Sequence, residues 1–136
     1  MKVYLVAGEP SGDKLGAELM AGLKSCAPYE VDFCGVGGFL MEEQGLTSLF
    51  PISEIAVMGI GEILAKYSFL KKRIKNTVDD ILRLKPDVLI TIDAPEFSLR
   101  VAKMVRKKLF INTVHYVAPT VWAWRPNRAK KISSYV

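Results

Sequence analysis

Two carboxylates lie in a glycine-rich segment near the start of the chain. Residues 7–13 read Ala-Gly-Glu-Pro-Ser-Gly-Asp and directly follow a short apolar run. Glycines between a strand and a helix are typical of phosphate-binding loops, but neither a Walker motif nor a well-spaced GxGxxG is present. Because Glu9 and Asp13 would repel a phosphate, the segment better suits sugar hydroxyls or a buried structural role. Asp13 also fits a first-turn acid favoured by the helix dipole, whereas a tight turn has no need of Glu9, which favours a functional role for Glu9.

A third carboxylate follows the most apolar run in the chain. Asp93 comes directly after residues 88–92, Val-Leu-Ile-Thr-Ile, which predict a strand in the centre of a sheet. Burial disfavours the charged form of an acid and raises its pKa, so Asp93 is a candidate general base near neutral pH. The alternative is a cap for the next helix, with Pro95 in the first turn. Glu96 is then an exposed first-turn acid.

The single histidine and both tryptophans lie within residues 115–125. The faces of Trp122 and Trp124 could stack on sugar rings or pack against acyl chains, or they could form a rigid lid over the core. The ordinary pKa of a histidine such as His115 allows proton transfer, but a lone histidine at a strand end is often a hydrogen-bonded structural residue. No cluster of His, Cys and Asp has the spacing of metal ligands, so the sequence predicts no metal site.

The elements that must position these residues alternate between strand and helix. Apolar runs predict strands at residues 3–7, 31–34, 46–50, 88–92 and 111–117. Helical periodicity predicts a first helix capped by Ser11 or Asp13, and further helices at residues 39–44, 60–82, 97–108 and from 125 onward. This alternation predicts an α/β fold, with a Rossmann-like parallel sheet and helices on both faces. Ligands bind beyond the carboxyl ends of the strands in such sheets, where all three segments fall.

Composition restricts the class of protein further. The chain has 136 residues, 50% hydrophobic and 24% charged, which fits one globular domain. Its net charge of +5 favours anionic partners, but scattered basic residues and the lack of a recognised module argue against nucleic acid. Cys26 and Cys34 form no CxxC pair and no signal peptide is seen, so we expect a reducing cytoplasm. No apolar run approaches the roughly 20 residues of a membrane span.

Residues 55–75 join an apolar stretch to a basic helix. Apolar residues on one side and lysines on the other fit a helix that lies at an anionic membrane surface. The same pattern fits a helix that faces the core and exposes a solvated face, which is the commoner case. The pattern alone leaves both interpretations open.

Five blocks of sequence together resemble the lipid-A-disaccharide synthase family. They are residues 7–13, Gly35–Gly38 with Met41, Ala56–Gly59, Lys85–Asp87 leading to Ile92–Phe97, and His115–Arg125. The resemblance implies half of a GT-B glycosyltransferase, built from two Rossmann-like domains around a cleft. It implies an inverting transfer, without metal or cofactor, of 2,3-diacylglucosamine from UDP to 2,3-diacylglucosamine 1-phosphate (lipid X) in lipid A biosynthesis. It also implies a cytoplasmic enzyme bound peripherally to the anionic surface of the inner membrane.

The resemblance assigns roles to individual residues. Asp93 fits the general base that takes the proton from the 6-hydroxyl of the acceptor, with Glu9 and His115 as further catalytic candidates. The candidate substrate-binding residues are Gly8, Ser11, Gly12, Asp13, Trp122, Trp124 and Arg125. The candidate membrane and acyl-chain residues are Val57, Met58, Ile60 and Leu64. Two positions depart from the family pattern, with Pro10 in place of Ala and Ser98 in place of Asn.

The domain organisation follows from the same resemblance. We expect residues 1–136 to form the acceptor-side N-terminal domain, with a UDP-binding C-terminal domain absent from this chain. The chain ends inside a helical pattern, and we expect it to be inactive without the missing half. The alternative is a catalytically dead domain that docks on a membrane or a partner. Plain dinucleotide binding is disfavoured by the acidic first loop.

Overall fold

The computed structural model describes residues 1–56 and 63–117. Its elements, in chain order, are β1 (Lys2–Ala7), α1 (Pro10–Cys26), β2 (Asp32–Val36), α2 (Phe39–Glu43), β3 (Thr47–Ser48), α3 (Ser53–Ala56), α4 (Ile63–Leu84), β4 (Val88–Ile92), α5 (Pro95–Arg106) and β5 (Asn112–Tyr116). The predicted helix from residue 125 onward lies outside the described residues.

The five strands form one parallel sheet in the order β3-β2-β1-β4-β5. One buried cluster packs α1 and α2 on one face through Met20 and Met41. The other cluster packs α4 and α5 on the opposite face through residues such as Val78 and Val101. Strands covered on both faces must be apolar on both sides, which explains the unbroken apolar runs of β1 and β4. The predicted α/β architecture is confirmed.

Most element bounds agree with the sequence pattern. The strand predicted at residues 88–92 is β4, and α4 ends at Leu84, just before Lys85 and Pro86. Lys85 takes a φ of 45°, the left-handed conformation that often follows a helix end. The third strand is shorter than predicted, since β3 comprises only Thr47 and Ser48.

The start and the buried face of α1 differ from the sequence prediction. Neither Ser11 nor Asp13 caps this helix, because Pro10 begins it and Glu9 is the N-cap, without a side-chain capping bond. The helix buries Gly12, Asp13, Gly16 and Met20 against the sheet and α2. The predicted leucines at positions 15, 19 and 23 lie half-buried beside this line. Small residues in the middle of the face let the helix axis approach the sheet closely.

The buried carboxylate of Asp13 joins α1 to the N-terminus of α2. Its Oδ1 accepts hydrogen bonds from the backbone N–H groups of Gly38 (2.8 Å) and Met41 (3.1 Å), and its Oδ2 accepts one from Leu40 (3.1 Å). The first N–H groups of a helix have no partner within the helix, and a carboxylate there also complements the helix dipole. A Cβ on Gly38 would lie 2.6 Å from the Asp13 carboxylate, so this contact also requires glycine at position 38.

We predict that Asp13→Ala lowers the free energy of unfolding by about 3 kcal/mol, because the backbone N–H groups at the start of α2 then lose their hydrogen-bond acceptor in the protein interior. Urea denaturation measures the loss. Glu18→Ala is the matched control, since Glu18 lies exposed on the same helix, and its effect should stay within about 0.5 kcal/mol. Equal effects of the two substitutions would contradict the structural role of Asp13.

Candidate active site

The topology brings the first two chemistry-bearing segments together at the carboxyl edge of the sheet. β1 and β4 are neighbours, with Ala7 opposite Ile92. Gly8 and Asp93 therefore leave the sheet side by side. β2 and β3 lie on one side of β1, whereas β4 and β5 lie on its other side. The strand order therefore reverses between β1 and β4. Such switch points are where open α/β sheets bind ligands.

The Asp93 carboxylate is held at this edge and remains partly open to solvent. The Ser11 hydroxyl donates a hydrogen bond to Asp93 Oδ2 (3.3 Å), and the Asp93 backbone N–H donates to the carbonyl oxygen of Tyr116 (3.1 Å). Asp93 is half-buried, whereas Glu9 and Ser11 are exposed on the first loop. The side chain thus points neither into the core nor away from the first loop, and it can meet a ligand above the sheet.

The backbone at Asp93 adopts an unusual conformation. Asp93 and Ala94 have φ values of 47° and 42°, so two successive non-glycine residues lie in the left-handed region. Val117, at the end of the neighbouring β5, has a φ of 65°. Such residues cost of order 1–3 kcal/mol each and persist where the surrounding structure imposes them, often at functional sites. The sequence carries no signal for this feature, because none of these residues is glycine.

A close approach between the two loops holds the Asp93 turn in place. A Cβ built on Gly8 would lie 2.6 Å from Ala94 Cβ and 3.6 Å from Ile55 Cγ2. A Cβ on Gly12 would meet Ala7 Cβ and the Ile92 carbonyl oxygen, both at 3.4 Å. Both glycines are buried and serve packing; substrate contact by either of them stays a prediction.

Asp13 is also among the residues that the resemblance assigns to substrate binding. It is 7% exposed, and both of its carboxylate oxygens accept backbone N–H bonds. The buried structural role that the sequence left open accounts for these contacts. Asp13 holds the first turn of α2 in place, and substrate binding by this residue stays a prediction.

His115 lies beside β4 and close to Asp93. It pairs with Thr91 in the sheet register, and its Nδ1 is 2.9 Å from the Thr91 hydroxyl oxygen. Burial lowers the pKa of His115, and the nearby Asp93 carboxylate only partly opposes this effect. Its Nε2 is buried and has no hydrogen-bond partner among residues 1–56 and 63–117. The lowered pKa favours the neutral imidazole, which adds no positive charge beside Asp93.

Several predicted site residues cannot be placed. Trp122, Trp124, Arg125, Val57, Met58 and Ile60 lie outside the described residues. Leu64 lies in α4, but its side chain is not described. Within the described part of the chain, no group of three or more His, Cys, Asp or Glu side chains is arranged to hold a metal ion. No helix of that same part is both long enough and apolar enough to span a membrane.

The chemistry available at this edge is acid–base chemistry on a hydroxyl group. A half-buried carboxylate, oriented by one serine hydroxyl and beside a neutral histidine, can accept a proton from an alcohol. Glu9 adds a second, exposed carboxylate one residue after Gly8. The carboxylates of Asp93 and Glu9, with the Ser11 hydroxyl, disfavour a bound phosphate at this edge of the sheet and favour the hydroxyl groups of a sugar.

Comparison with known proteins identifies the family. A family model described as lipid-A-disaccharide synthetase matches residues 3–136. The chain belongs to the lipid-A-disaccharide synthetase family. The resemblance seen in the sequence motifs is thereby confirmed.

Relatives named lipid-A-disaccharide synthase match essentially the whole chain. The protein of Ruegeria pomeroyi is 55% identical over 136 residues, which are 100% of this chain and 34% of the relative. The Rhodopseudomonas palustris (strain HaA2) protein is 50% identical, over 99% of this chain and 35% of the relative. The Pseudomonas fluorescens protein is 50% identical, over 97% of this chain and 35% of the relative. The chain therefore spans about a third of the length of these family members.

A solved structure shares the fold. The crystal structure of UDP-GlcNAc 2-epimerase from Neisseria meningitidis, bound to UDP-GlcNAc, matches with a TM-score of 0.58 at 15% identity. The match covers 98% of this chain and 38% of the epimerase chain. At this identity the likeness concerns the fold alone, and it agrees with a Rossmann-like domain of the GT-B type.

We predict that Gly8→Ala destabilises this family member by about 1–3 kcal/mol, because the new methyl group would overlap Ala94 and displace the Asp93 turn. Gly22→Ala is the matched control, since a Cβ there meets nothing within 4 Å. It lies within a helix, where alanine is favoured over glycine by roughly 0.5–1 kcal/mol. Thermal unfolding followed by circular dichroism should give shifts of opposite sign, and a neutral Gly8→Ala would contradict the close approach.

Proposed function

We propose that this chain supplies the acceptor-side domain of an inverting glycosyltransferase. That enzyme transfers 2,3-diacylglucosamine from its UDP carrier to lipid X, in lipid A biosynthesis. The position and surroundings of Asp93 are the observation that carries this proposal. The family membership supports the reaction, and a second domain that binds UDP would provide the other wall of the cleft.

In the proposed reaction Asp93 is the general base. It accepts the proton of the acceptor 6-hydroxyl while that oxygen forms a bond to C1 of the donor sugar. The bond between C1 and the UDP oxygen breaks, its electron pair leaves with UDP, and attack from the opposite side inverts C1. The Ser11 hydrogen bond orients the Asp93 carboxylate, and the neutral His115 adds no positive charge beside it.

The remaining site residues have proposed roles around this step. Glu9 is exposed on the first loop and suits hydrogen bonding to sugar hydroxyls. Trp122 and Trp124 are proposed to contact a sugar ring or acyl chains, and Arg125 a phosphate. Val57, Met58, Ile60 and Leu64 are proposed to face the acyl chains and the membrane.

An assay of disaccharide formation tests the role of Asp93. The chain is joined to the remaining two-thirds of the Ruegeria pomeroyi relative and supplied with both lipid substrates. We expect Asp93→Asn to lower kcat by roughly 10²- to 10⁴-fold, because a general base contributes about that factor. Asp32→Asn is the matched control, since Asp32 lies exposed at the opposite, amino end of β2.

Two results of this assay would contradict the proposal. One is an Asp93→Asn enzyme with unchanged kcat, and the other is a joined protein that makes no disaccharide although it is folded. Vesicle binding together with the second result would favour the docking domain that the sequence left open.

We also propose that the protein associates with the anionic surface of the inner membrane through a basic groove. The groove, of about 660 Å³, lies between α4 and α5. Buried Ile74 and Val78 line it, with the exposed apolar groups of Tyr67 and Met104. Its seven basic lining residues are Lys71, Lys72, Lys75, Arg100, Lys103, Lys107 and Lys108, against one acid, Asp79. Apolar surface framed by lysines suits anionic lipid headgroups.

Sedimentation with vesicles tests this association. Each Lys or Arg near an anionic surface contributes about 1 kcal/mol, so the charge reversal Lys103→Glu should weaken binding to phosphatidylglycerol vesicles roughly tenfold or more. Lys14→Glu makes the same charge change on α1, on the opposite face of the sheet, and should have a smaller effect. Equal losses for the two variants, or equal binding to neutral phosphatidylcholine vesicles, would contradict the groove as the contact.

A further inference from the structure

A second recess opens at the same edge of the sheet as Asp93. It has a volume of about 430 Å³ and lies at the carboxyl ends of β2 and β3. Its walls come from the loop before α2, from Phe39 and Glu42 of α2, and from the segment from β3 to α3. Pockets of roughly 300–1,000 Å³ are typical of small-ligand sites. No role is assigned to this recess by the sequence motifs.

Apolar side chains make up much of the lining of the recess, namely those of Phe39, Leu49, Phe50, Pro51 and Ile52. Among the described residues that line it, Glu42 is the one charged residue and none is basic. A phosphate or diphosphate would find only a carboxylate here, in contrast to the groove between α4 and α5. The recess therefore suits an apolar group, not the anionic part of a ligand.

The polar groups of the recess are largely used within the fold. The Ser48 hydroxyl accepts a hydrogen bond from the Gly37 backbone N–H (3.1 Å) and donates one to the carbonyl oxygen of Phe50 (2.7 Å). The Ser48 hydroxyl is thus already engaged as both donor and acceptor. At the rim, Phe39 is 70% exposed and Leu49 is 39% exposed, which leaves apolar surface available to a ligand.

The recess and the Asp93 turn form one continuous packed unit. The ring of Phe50 packs edge-to-face on Phe97, with ring centroids 6.4 Å apart, and Phe97 lies in the first turn after Asp93. On α3, Ile55 lies within 3.6 Å of the place that a Gly8 side chain would take. Asp13 fixes the Gly38 end of the recess through its bonds to α2. The recess and the Asp93 turn therefore share packed neighbours at the same edge of the sheet.

We propose that this recess holds an acyl chain of the sugar phosphate acceptor, with Phe39 and Leu49 as the residues that determine chain specificity. The proposal rests on the proposed function, which places the acceptor sugar at Asp93. The acceptor is the one ligand of that reaction whose reactive hydroxyl must meet Asp93 while its acyl chains need apolar surface nearby.

Photo-crosslinking tests the location of the chain. The probe is a 2,3-diacylglucosamine 1-phosphate that carries a diazirine at the end of one acyl chain, bound to the 136-residue protein below micelle-forming concentration. After irradiation, mass spectrometry should place the adducts within residues 37–53. Phe39→Ala and Leu49→Ala should each lower the adduct yield about tenfold, the effect of losing contact with roughly two methylene groups.

The controls separate the recess from general exposure and from misfolding. Leu40→Ala changes a leucine of the same 39% exposure that does not line the recess, and the yield should be unchanged. Ser53→Trp should block the recess and abolish these adducts, with circular dichroism to verify the fold. Adducts in the groove between α4 and α5, or an equal loss of yield for Leu40→Ala and Leu49→Ala, would overturn the proposal.

The two assays distinguish a failure of the acyl-chain proposal for the recess from a failure of the proposed function. Normal disaccharide formation with adducts outside residues 37–53 would overturn the recess alone. Adducts within the recess, sensitive to Phe39→Ala, would support it even if the joined enzyme formed no disaccharide.

Discussion

The contact between the loops that follow β1 and β4 is the constraint on which the site depends. Gly8 leaves no room for a side chain beside Ala94, and this close approach accompanies a left-handed backbone at both Asp93 and Ala94. Two strained residues in succession can persist only where parallel strands and packed helices hold them from several sides. As a result, the Asp93 carboxylate follows a strand of the sheet centre and yet remains only half-buried.

The buried Asp13 carboxylate provides a second structural support, between α1 and α2. Asp13 binds the first turn of α2 through three backbone N–H groups, so α1 and α2 are fixed relative to each other. Because Ser11 lies on the same helix and bonds to Asp93, the arrangement links the proposed base to the wall of the recess. Of the two acids in residues 7–13, Asp13 thus has a structural role, whereas Glu9 is exposed.

The domain has two partly apolar surfaces, at different places in the fold, that differ in charge. Among the described residues, one acidic and no basic residue line the recess at the ends of β2 and β3, whereas seven basic residues line the groove between α4 and α5. A lipid with an anionic headgroup and acyl chains requires basic residues for the headgroup and apolar surface for the chains. The groove provides the basic residues, and the recess provides apolar surface without them. The proposed roles of acceptor subsite and membrane contact follow this division of charge.

The amino-acid sequence by itself determined the alternation of strands and helices, the parallel sheet and the placement of Asp93 at its edge. These features depend on local periodicity and on short motifs, which is also why the family could be recognised from residues 92–97 and 115–125. Only the tertiary structure decided that Asp13 serves α2, since its partners lie 25 to 28 positions away. The same holds for Ser11 and Asp93, which are 82 positions apart, and for the recess, whose walls come from separate elements. Such contacts depend on how closely packed elements approach one another, a distance that the local pattern of residues does not encode.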